Sequence, residues 1–560
     1  MDDRQTAIEA RVAELEQRLR AFEQRLAAIE DTSPFSARRP EPTRDASEAG
    51  LPAPAAAFDL IGVLSLAGRT FVILGGAYLL RALTESGSLA VTTGVALGFA
   101  YAMSWLVAAD RTAASGRRLS ATFYGVSTSI LALPLLWEAT TKFRVVGGTA
   151  ASLILTAITL GVLAIAVRRR LQTLAWIIVF GAIASNIAFT ASTGLVLPFA
   201  VASIALGIVT LWIGYTIDWV WLRWPTALHA DVAVFALTAG ASTHALAASA
   251  AGIAAGQWLL VTAYLVSVAV RTLVRGREVN LFEVLQTVAA LAVGFGGAVY
   301  VAAATGVGGD LLAAISLLCG AGCYGVAFTF LARRQGRHHN FYFYTSLGLV
   351  LVLAGSALGL RQAPLLWAAL AVLTSWAATR ADRLTLLVHA AVYLVAASIG
   401  SGLLASAFVA LVGPPLGQPT VSPARLLVCA AGCVCWLMPI TSETAGVRVR
   451  LPRLAMAIVL SWSAAAWMVA AASSSATPPG VLATIRTGAI AITALALAWL
   501  GRTRRLREAG WLVYPLLALG AVKLLAEDLL RSAPATLFIA LAFYGGALIV
   551  APRLGQRTGD

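Results

Sequence analysis

The feature that most constrains this chain is an almost unbroken succession of apolar segments from Phe58 to the C-terminus. Each segment has about 20 residues, the length that a helix needs to cross a hydrocarbon core about 30 Å thick. Of all residues, 59% are hydrophobic and 12% are charged, and the mean hydropathy is +0.82. A water-soluble globular chain does not carry such a composition. We therefore expect an all-α integral membrane protein whose main partner is the lipid bilayer.

The apolar segments predict about 18 transmembrane helices, joined by short loops into hairpins. The predicted spans begin near Phe58, Leu89, Leu119, Val145, Leu171, Gly194, Ala230, Gln257, Leu281, Leu311, Phe341, Ala363, Leu384, Leu426, Leu454, Val481, Gly510 and Pro534. The transmembrane domain then covers residues 58–551, and residues 552–560 form a short tail.

Basic residues alternate between the two ends of the predicted spans. Every second loop carries Arg, as in the clusters at residues 168–170, 333–337 and 502–507, and most of the 41 Lys and Arg lie on this side. The opposite side has only Arg81, Lys142, Arg144, Arg361, Arg425, Arg486 and Arg531. Because cytoplasmic loops are enriched in Lys and Arg, both termini are predicted to be cytoplasmic. The net charge of +15 then reflects topology, and no nucleic-acid partner is expected.

The N-terminal segment, residues 1–30, has the pattern of a cytoplasmic coiled coil. Apolar residues recur at alternating intervals of four and three, which is the heptad seam of such a helix. The seam consists of Ile8, Val12, Leu15, Leu19, Phe22, Leu26 and Ile29. Charges of both signs flank it, which favours self-association or docking of a partner helix. A lone amphipathic helix on the membrane is the alternative.

Residues 31–57 have the composition of a flexible linker. They are rich in Pro, Ala, Ser, Glu and Arg, and include Pro34, Pro40, Pro42, Pro52 and Pro54. Such a segment cannot bury enough apolar surface to fold by itself. It is therefore predicted to tether the coiled coil to the membrane domain.

Two stretches resemble an uncharacterised family of bacterial predicted membrane proteins, catalogued as domain of unknown function twenty-three thirty-nine. The first, residues 68–87, reads GRTFVILGGAYLLRALTESG and is similar to the opening of that family. The second, residues 519–529, reads LGAVKLLAEDL and looks like its closing signature, a Lys followed five residues later by Asp-Leu. The resemblance implies a bacterial cytoplasmic (inner) membrane location. It implies no reaction.

Charged residues at membrane depth are the default candidates for function, because burying a charge in lipid costs free energy unless it is paired or hydrated. Arg69 lies in the first apolar segment, where it is either buried or located in the cytoplasmic interface. Lys523, Glu527 and Asp528 lie near the outer end of the seventeenth span, with Lys523 and Glu527 on one helical face.

Arg81 and Glu85 lie at the corresponding end of the first span. A structural ion pair is one interpretation of the charges in the seventeenth span. The other is that Arg81 and Glu85 approach them to form a polar site open to the periplasm.

No motif in the sequence identifies a reaction or a cofactor. The P-loop, dinucleotide-binding, His-Glu-x-x-His and Gly-x-Ser-x-Gly patterns are missing. The pairs Cys319/Cys323 and Cys429/Cys433 share helical faces, but no His or carboxylate neighbours them, so no metal site is expected. No catalytic residue is predicted, and an enzymatic role is the less favoured one.

Three functions fit these features. The number of spans and the scatter of Gly and Pro favour a transporter or channel for a small solute or lipid. The first alternative is a structural or assembly scaffold of the cell envelope that recruits partners through the coiled coil. The second is a polytopic enzyme acting on a lipid-linked substrate at the outer carboxylates.

Overall fold

The computed structural model describes residue 17 and residues 60–242, 249–333, 338–381, 383–413, 422–438, 447–503 and 506–555. The predicted coiled coil at residues 1–30, apart from Gln17, and the predicted linker at residues 31–57 lie outside these ranges. The chain divides into two units, Met1–Phe71 and Val72–Asp560. The described part of the first unit is Gln17 and the start of one helix, and the second unit contains the other helices.

All regular elements in the described ranges are helical, and they follow one another with short connections. The first seven are α1 (Leu60–Glu85), α2 (Val91–Ala114), α3 (Arg118–Thr141), α4 (Gly148–Arg169), α5 (Gln172–Thr193), α6 (Val196–Ile217) and α7 (Arg223–Ser242). The next five are α8 (Ala250–Val274), α9 (Leu281–Thr305), α10 (Gly309–Leu331), α11 (His338–Gly359) and α12 (Ala363–Ala381).

The remaining helices are α13 (Leu384–Gly400), α14 (Leu403–Val412), α15 (Pro423–Leu437), α16 (Val447–Ala472), α17 (Pro479–Thr503), α18 (Arg507–Lys523, continuing through Leu524–Asp528 to Arg531) and α19 (Pro534–Gly555). The last helix therefore continues four residues into the segment predicted as a tail.

Thirteen of the described helices are long and apolar enough to cross a membrane, or fourteen if α13 and α14, which meet at a bend of 64°, form one broken span. Each of the 18 predicted spans coincides with a helix or with this bent pair. The helices α1, α7, α12 and α15 fall outside the thirteen, so the count of 18 stays a prediction. The chain is a multi-pass, all-helical membrane protein, as its composition indicated.

The helices pack mainly as antiparallel hairpins of sequence neighbours, for example α2 with α3, α10 with α11 and α12 with α13. Their outward faces carry large exposed apolar side chains such as Leu153, Leu318 and Val266, as expected for surfaces covered by lipid. The most enclosed helix is α17, with 72% of its apolar stretch buried, whereas only 17% of that of α19 is buried. Because α17 packs against α16, α18 and α19, its polar residues must find partners inside the protein.

Candidate functional site

Three of the predicted site residues come together at the end of α18. The Nζ atom of Lys523 lies 2.6 Å from Oδ2 of Asp528 and 3.6 Å from Oε2 of Glu527. Asp528 is fully buried, and the side chains of Lys523 and Glu527 are only 12% and 16% exposed. Lys523 and Glu527 are four residues apart, so their pairing follows from helical spacing. The shorter ion pair of Lys523, however, is with Asp528.

The closer contact depends on a π-helical turn. Residues Leu524–Asp528 form such a turn within α18, with backbone hydrogen bonds five residues apart. In a regular α-helix, residues three and four apart face each other, and a residue five positions away points elsewhere. The wider turn therefore brings Asp528 to the same side as Lys523. Single π turns inside α-helices are frequent at functional sites.

Two residues of α17 complete the group. Arg486 is 2% exposed and lies 2.9 Å from Oε1 of Glu527. Its Nε donates a hydrogen bond to the carbonyl oxygen of Ala410 at 3.0 Å, and its Nη2 donates to that of Gly413. Thr487 accepts a hydrogen bond from Lys523 at 2.7 Å and donates one to Asp528 at 2.9 Å. We call these five residues the C-terminal charged cluster: Arg486, Thr487, Lys523, Glu527 and Asp528.

The C-terminal charged cluster contains two cations and two carboxylates, so its formal charges balance. Lys523 also donates to the carbonyl oxygen of Ala483, which places this cation between α17 and α18. One buried oxygen, Oδ1 of Asp528, has no hydrogen-bond partner among the described residues. A buried carboxylate oxygen normally accepts a hydrogen bond or binds a cation. The cluster can therefore receive one more donor at this position.

Arg81 and Glu85 form their ion pairs elsewhere. Arg81 lies 3.2 Å from Glu85 and 2.9 Å from Glu138, and Lys142 lies 2.7 Å from Glu85. These four residues connect the end of α1 to the end of α3, and we call them the Arg81 cluster. Their side chains are 24% to 51% exposed. The geometry thus places the predicted outer residues in two groups, each with its own partners in the described part of the chain.

Arg69 lies within α1, but its side chain is outside the described part of the structure. Whether it belongs to the membrane interior or to the interface therefore stays a prediction.

Two further ion pairs lie at helix ends, each between an Arg of a predicted basic loop and a buried Glu. Nη1 of Arg271 donates to both oxygens of Glu283, which is fully buried. Arg453 pairs with Glu508 at 2.7 Å, and both side chains are 5% exposed. Arg453 and Arg271 belong to basic clusters, so the positive-inside pattern assigned them to the surface. The sequence contains one signal for these pairs, namely a single acidic residue near the start of α9, Glu283, and near the start of α18, Glu508.

Within the described ranges, no three His, Cys, Asp or Glu side chains converge as potential metal ligands. The chain was also compared with protein-family models, with curated proteins and with solved structures, and none of these comparisons found a match.

Proposed function

We propose that this protein transports a small solute across the membrane and that the C-terminal charged cluster is its binding site. The observation that carries the proposal is Oδ1 of the fully buried Asp528, which has no hydrogen-bond partner among the residues that the structure describes. Ionisable residues inside a membrane domain are costly, and they commonly mark the path of a substrate or an ion. A packed structural ion pair needs no spare acceptor.

The chemistry of the cluster favours a solute that carries an amine. Arg486 and Lys523 already have carboxylate or carbonyl partners, so the open position is an acceptor on an anionic group. An ammonium group supplies a charged N–H donor for this oxygen. Asp528 is closed to solvent in this conformation, so alternating access requires α17 and α18 to separate at this end.

A binding experiment tests the site before the solute is identified. The purified protein in nanodiscs is heated with and without ethanolamine, putrescine, lysine or arginine, and its unfolding temperature is recorded. Binding to the folded state raises this temperature. We expect at least one amine to stabilise the wild type and to be taken up by proteoliposomes.

The variant Asp528→Asn is expected to lose this stabilisation, and Asp310→Asn, at an exposed carboxylate, is expected to keep it. The proposal is wrong if no probe stabilises the wild type, or if Asp528→Asn responds as the wild type does.

A lipid is the second candidate substrate, favoured by a groove between α9 and α11. Its volume is about 700 Å³, and its lining includes Val288, Tyr342 and Val350. Native mass spectrometry with phosphatidylglycerol tests this candidate. If the groove carries lipid, Ala354→Trp removes the bound lipid, whereas Leu373→Trp on the exposed face of α12 does not.

The finer sequence-based assignments stay proposals. These are membership of the resembled family, a bacterial cytoplasmic-membrane location, cytoplasmic termini, and self-association through the heptad seam. The scaffold alternative depends on that seam, which lies outside the described residues.

A further inference from the structure

A second buried polar network lies far along the chain from the C-terminal charged cluster, within helices α6 to α9. Glu283 lies at the start of α9, at the same end of the helices as the basic loops. It accepts hydrogen bonds from Nη1 of Arg271 at 2.6 and 2.7 Å. The hydroxyl of Tyr215 donates to the same carboxylate at 2.6 Å. The buried guanidinium of Arg223 lies 4.4 Å from the ring centre of Phe282. Glu283 therefore has a cation and additional donors that stabilise its charge.

One turn further into the bundle, a second carboxylate has a different environment. Asp231 is 6% exposed, and both of its oxygens accept from the side-chain amide of Gln286, at 3.0 and 3.1 Å. No ion pair is found for Asp231 within the described ranges, in contrast to Glu283. An ionised carboxylate that is buried with only a neutral amide donor is expensive. A bound proton removes this cost.

Helices α8 and α9 also contain three buried polar atoms that have no hydrogen-bond partner in the described part of the chain. The hydroxyls of Tyr264 and Thr287 and the side-chain oxygen of Gln257 are buried and lack hydrogen-bond partners among the described residues. Tyr264 is 1% exposed and belongs to the same buried cluster as Ala230 and Val234, which flank Asp231 on α7. Unsatisfied buried polar atoms commonly mark positions of ordered water.

These groups continue from Asp231 toward the opposite end of the helices. Gln257 precedes Tyr264 by seven residues on α8, a rise of about 10 Å. It donates to Thr238, which follows Asp231 by seven residues on α7. Gly297 of α9 lies against this pair and leaves room for it, because a Cβ atom there would lie 2.9 Å from the Gln257 amide nitrogen. Polar groups therefore occur at successive depths through the interior of α6 to α9.

The titratable and charged residues of the packed helices are few. Apart from Asp231, α7 has Arg223 and His229; α6 has Tyr215, α8 has Tyr264 and Arg271, α9 has Glu283 and Tyr300, and α5 has none. Arg271 pairs with Glu283 at the helix ends, and the guanidinium of Arg223 lies over the ring of Phe282. His229 is part-buried, and its Nε2 is unpartnered. None of these side chains forms an ion pair with Asp231 in the described structure.

We propose that Asp231 is a proton-binding site of the membrane domain. Its carboxyl group holds a proton and releases it to water bound at the hydroxyl of Tyr264. The resulting carboxylate is held by the amide of Gln286. This proposal does not depend on solute transport through the C-terminal charged cluster, because it invokes different residues on different helices.

Infrared spectroscopy tests the proposal without a transport assay. Spectra of the protein in nanodiscs are recorded at several pH values in H₂O and in D₂O. A protonated carboxyl group gives a carbonyl stretching band that shifts when the proton is exchanged for deuterium. We expect the wild type to show this band, and Asp231→Asn, which is nearly isosteric, to lose it.

Three matched variants make the result specific. Asp310→Asn, at an exposed carboxylate, and Asp528→Asn, in the C-terminal charged cluster, are expected to keep the band. Gln286→Leu keeps Asp231 but removes its donor, so the band is expected to shift in frequency. This variant provides an answer even if Asp231→Asn fails to fold.

The proposal is overturned if the wild type lacks the band or if it persists in Asp231→Asn. If Asp528→Asn loses amine binding but keeps the infrared band, proton binding at Asp231 is independent of amine binding at the C-terminal charged cluster.

Discussion

The Nζ atom of Lys523 lies 2.6 Å from Oδ2 of Asp528, although the two residues are five positions apart on one helix. The π turn at Leu524–Asp528 makes this contact possible, because it widens the helix where it meets α17. Glu527, which has the α-helical spacing from Lys523, lies beside Arg486 instead, at 2.9 Å. Each carboxylate thus has a cation of its own, and the four charges balance inside the protein.

Arg486 is expected to be essential for stability. In Arg486→Gln, Glu527 loses its nearest cation, and the carbonyl groups of Ala410 and Gly413 lose their donor. Because breaking a buried ion pair leaves charge uncompensated, we expect a loss on the order of 3 kcal/mol in the free energy of unfolding. The measurement is titration with SDS in mixed micelles, followed by Trp fluorescence. Arg361→Gln, at an exposed loop position, is the control and is expected to change little. Equal losses in both variants would contradict the assignment.

The pair formed by Arg453 and Glu508 is expected to show strong coupling. Arg453 also donates to the carbonyl oxygens of Trp436 and Met438, so it connects α16 to α18 and to the end of α15. Arg453→Met alone leaves a buried carboxylate unpaired, whereas Arg453→Met combined with Glu508→Leu leaves none. We expect the double variant to be more stable than the single Arg453→Met variant. A double-mutant cycle on free energies of unfolding gives the coupling energy. Additive effects would show that the pair contributes no interaction.

The Arg81 cluster is expected to respond to salt in a way that the C-terminal charged cluster does not. Its ion pairs are partly exposed, and added salt weakens exposed ion pairs much more than buried ones. Glu85→Gln is therefore expected to lower the unfolding temperature slightly at low salt and not at high salt. Lys523→Met serves as the buried comparison, and its effect is expected to persist at high salt. Thermal unfolding at two salt concentrations provides the measurement.

The close approach of α10 and α11 is expected to depend on Gly355. A Cβ atom at this residue would lie 2.9 Å from the carbonyl oxygen of Ala313, a backbone atom that cannot move by a side-chain rotation. Gly355→Ala should therefore separate the two helices and destabilise the protein by about 1–3 kcal/mol. Gly322→Ala is the matched control on α10, where a Cβ atom meets nothing within 4 Å. There the higher helix propensity of Ala is expected to leave stability unchanged or raised. The same titration with SDS compares both variants.

The predicted topology can be tested with reporter fusions. If both termini are cytoplasmic, a green fluorescent protein fused after Asp560 will fluoresce. Alkaline phosphatase will be active when fused after Phe143, in a predicted outer loop, and inactive when fused after Gly116, in a predicted inner loop. The reverse pattern would show that the predicted orientation, with both termini in the cytoplasm, is wrong.

The positions of the helices could be predicted from the sequence because they depend on local properties. The predicted starts at Leu281, Ala363 and Leu384 coincide with the observed ones. The largest differences are at Ala230, Gln257 and Leu454, where α7, α8 and α16 begin at Arg223, Ala250 and Val447. There the helix continues past the most apolar residues, because a backbone inside a membrane stays hydrogen-bonded irrespective of side chain. The length and hydrophobicity of a helix can be read from its own sequence, without knowing which helices pack against it.

The sequence by itself determined that the chain is an all-helical, multi-pass membrane protein, because lipid accepts only apolar surfaces and internally bonded backbone. It also pointed to Lys523, Glu527 and Asp528 as charged residues at membrane depth. Only the tertiary structure decided their partners: Arg486 contacts Glu527 across 41 residues of chain, and Gln286 contacts Asp231 across 55. Which charges are buried together depends on which helices are neighbours, and in a chain of such uniform apolar segments that choice comes from the packing of small and polar side chains between helices.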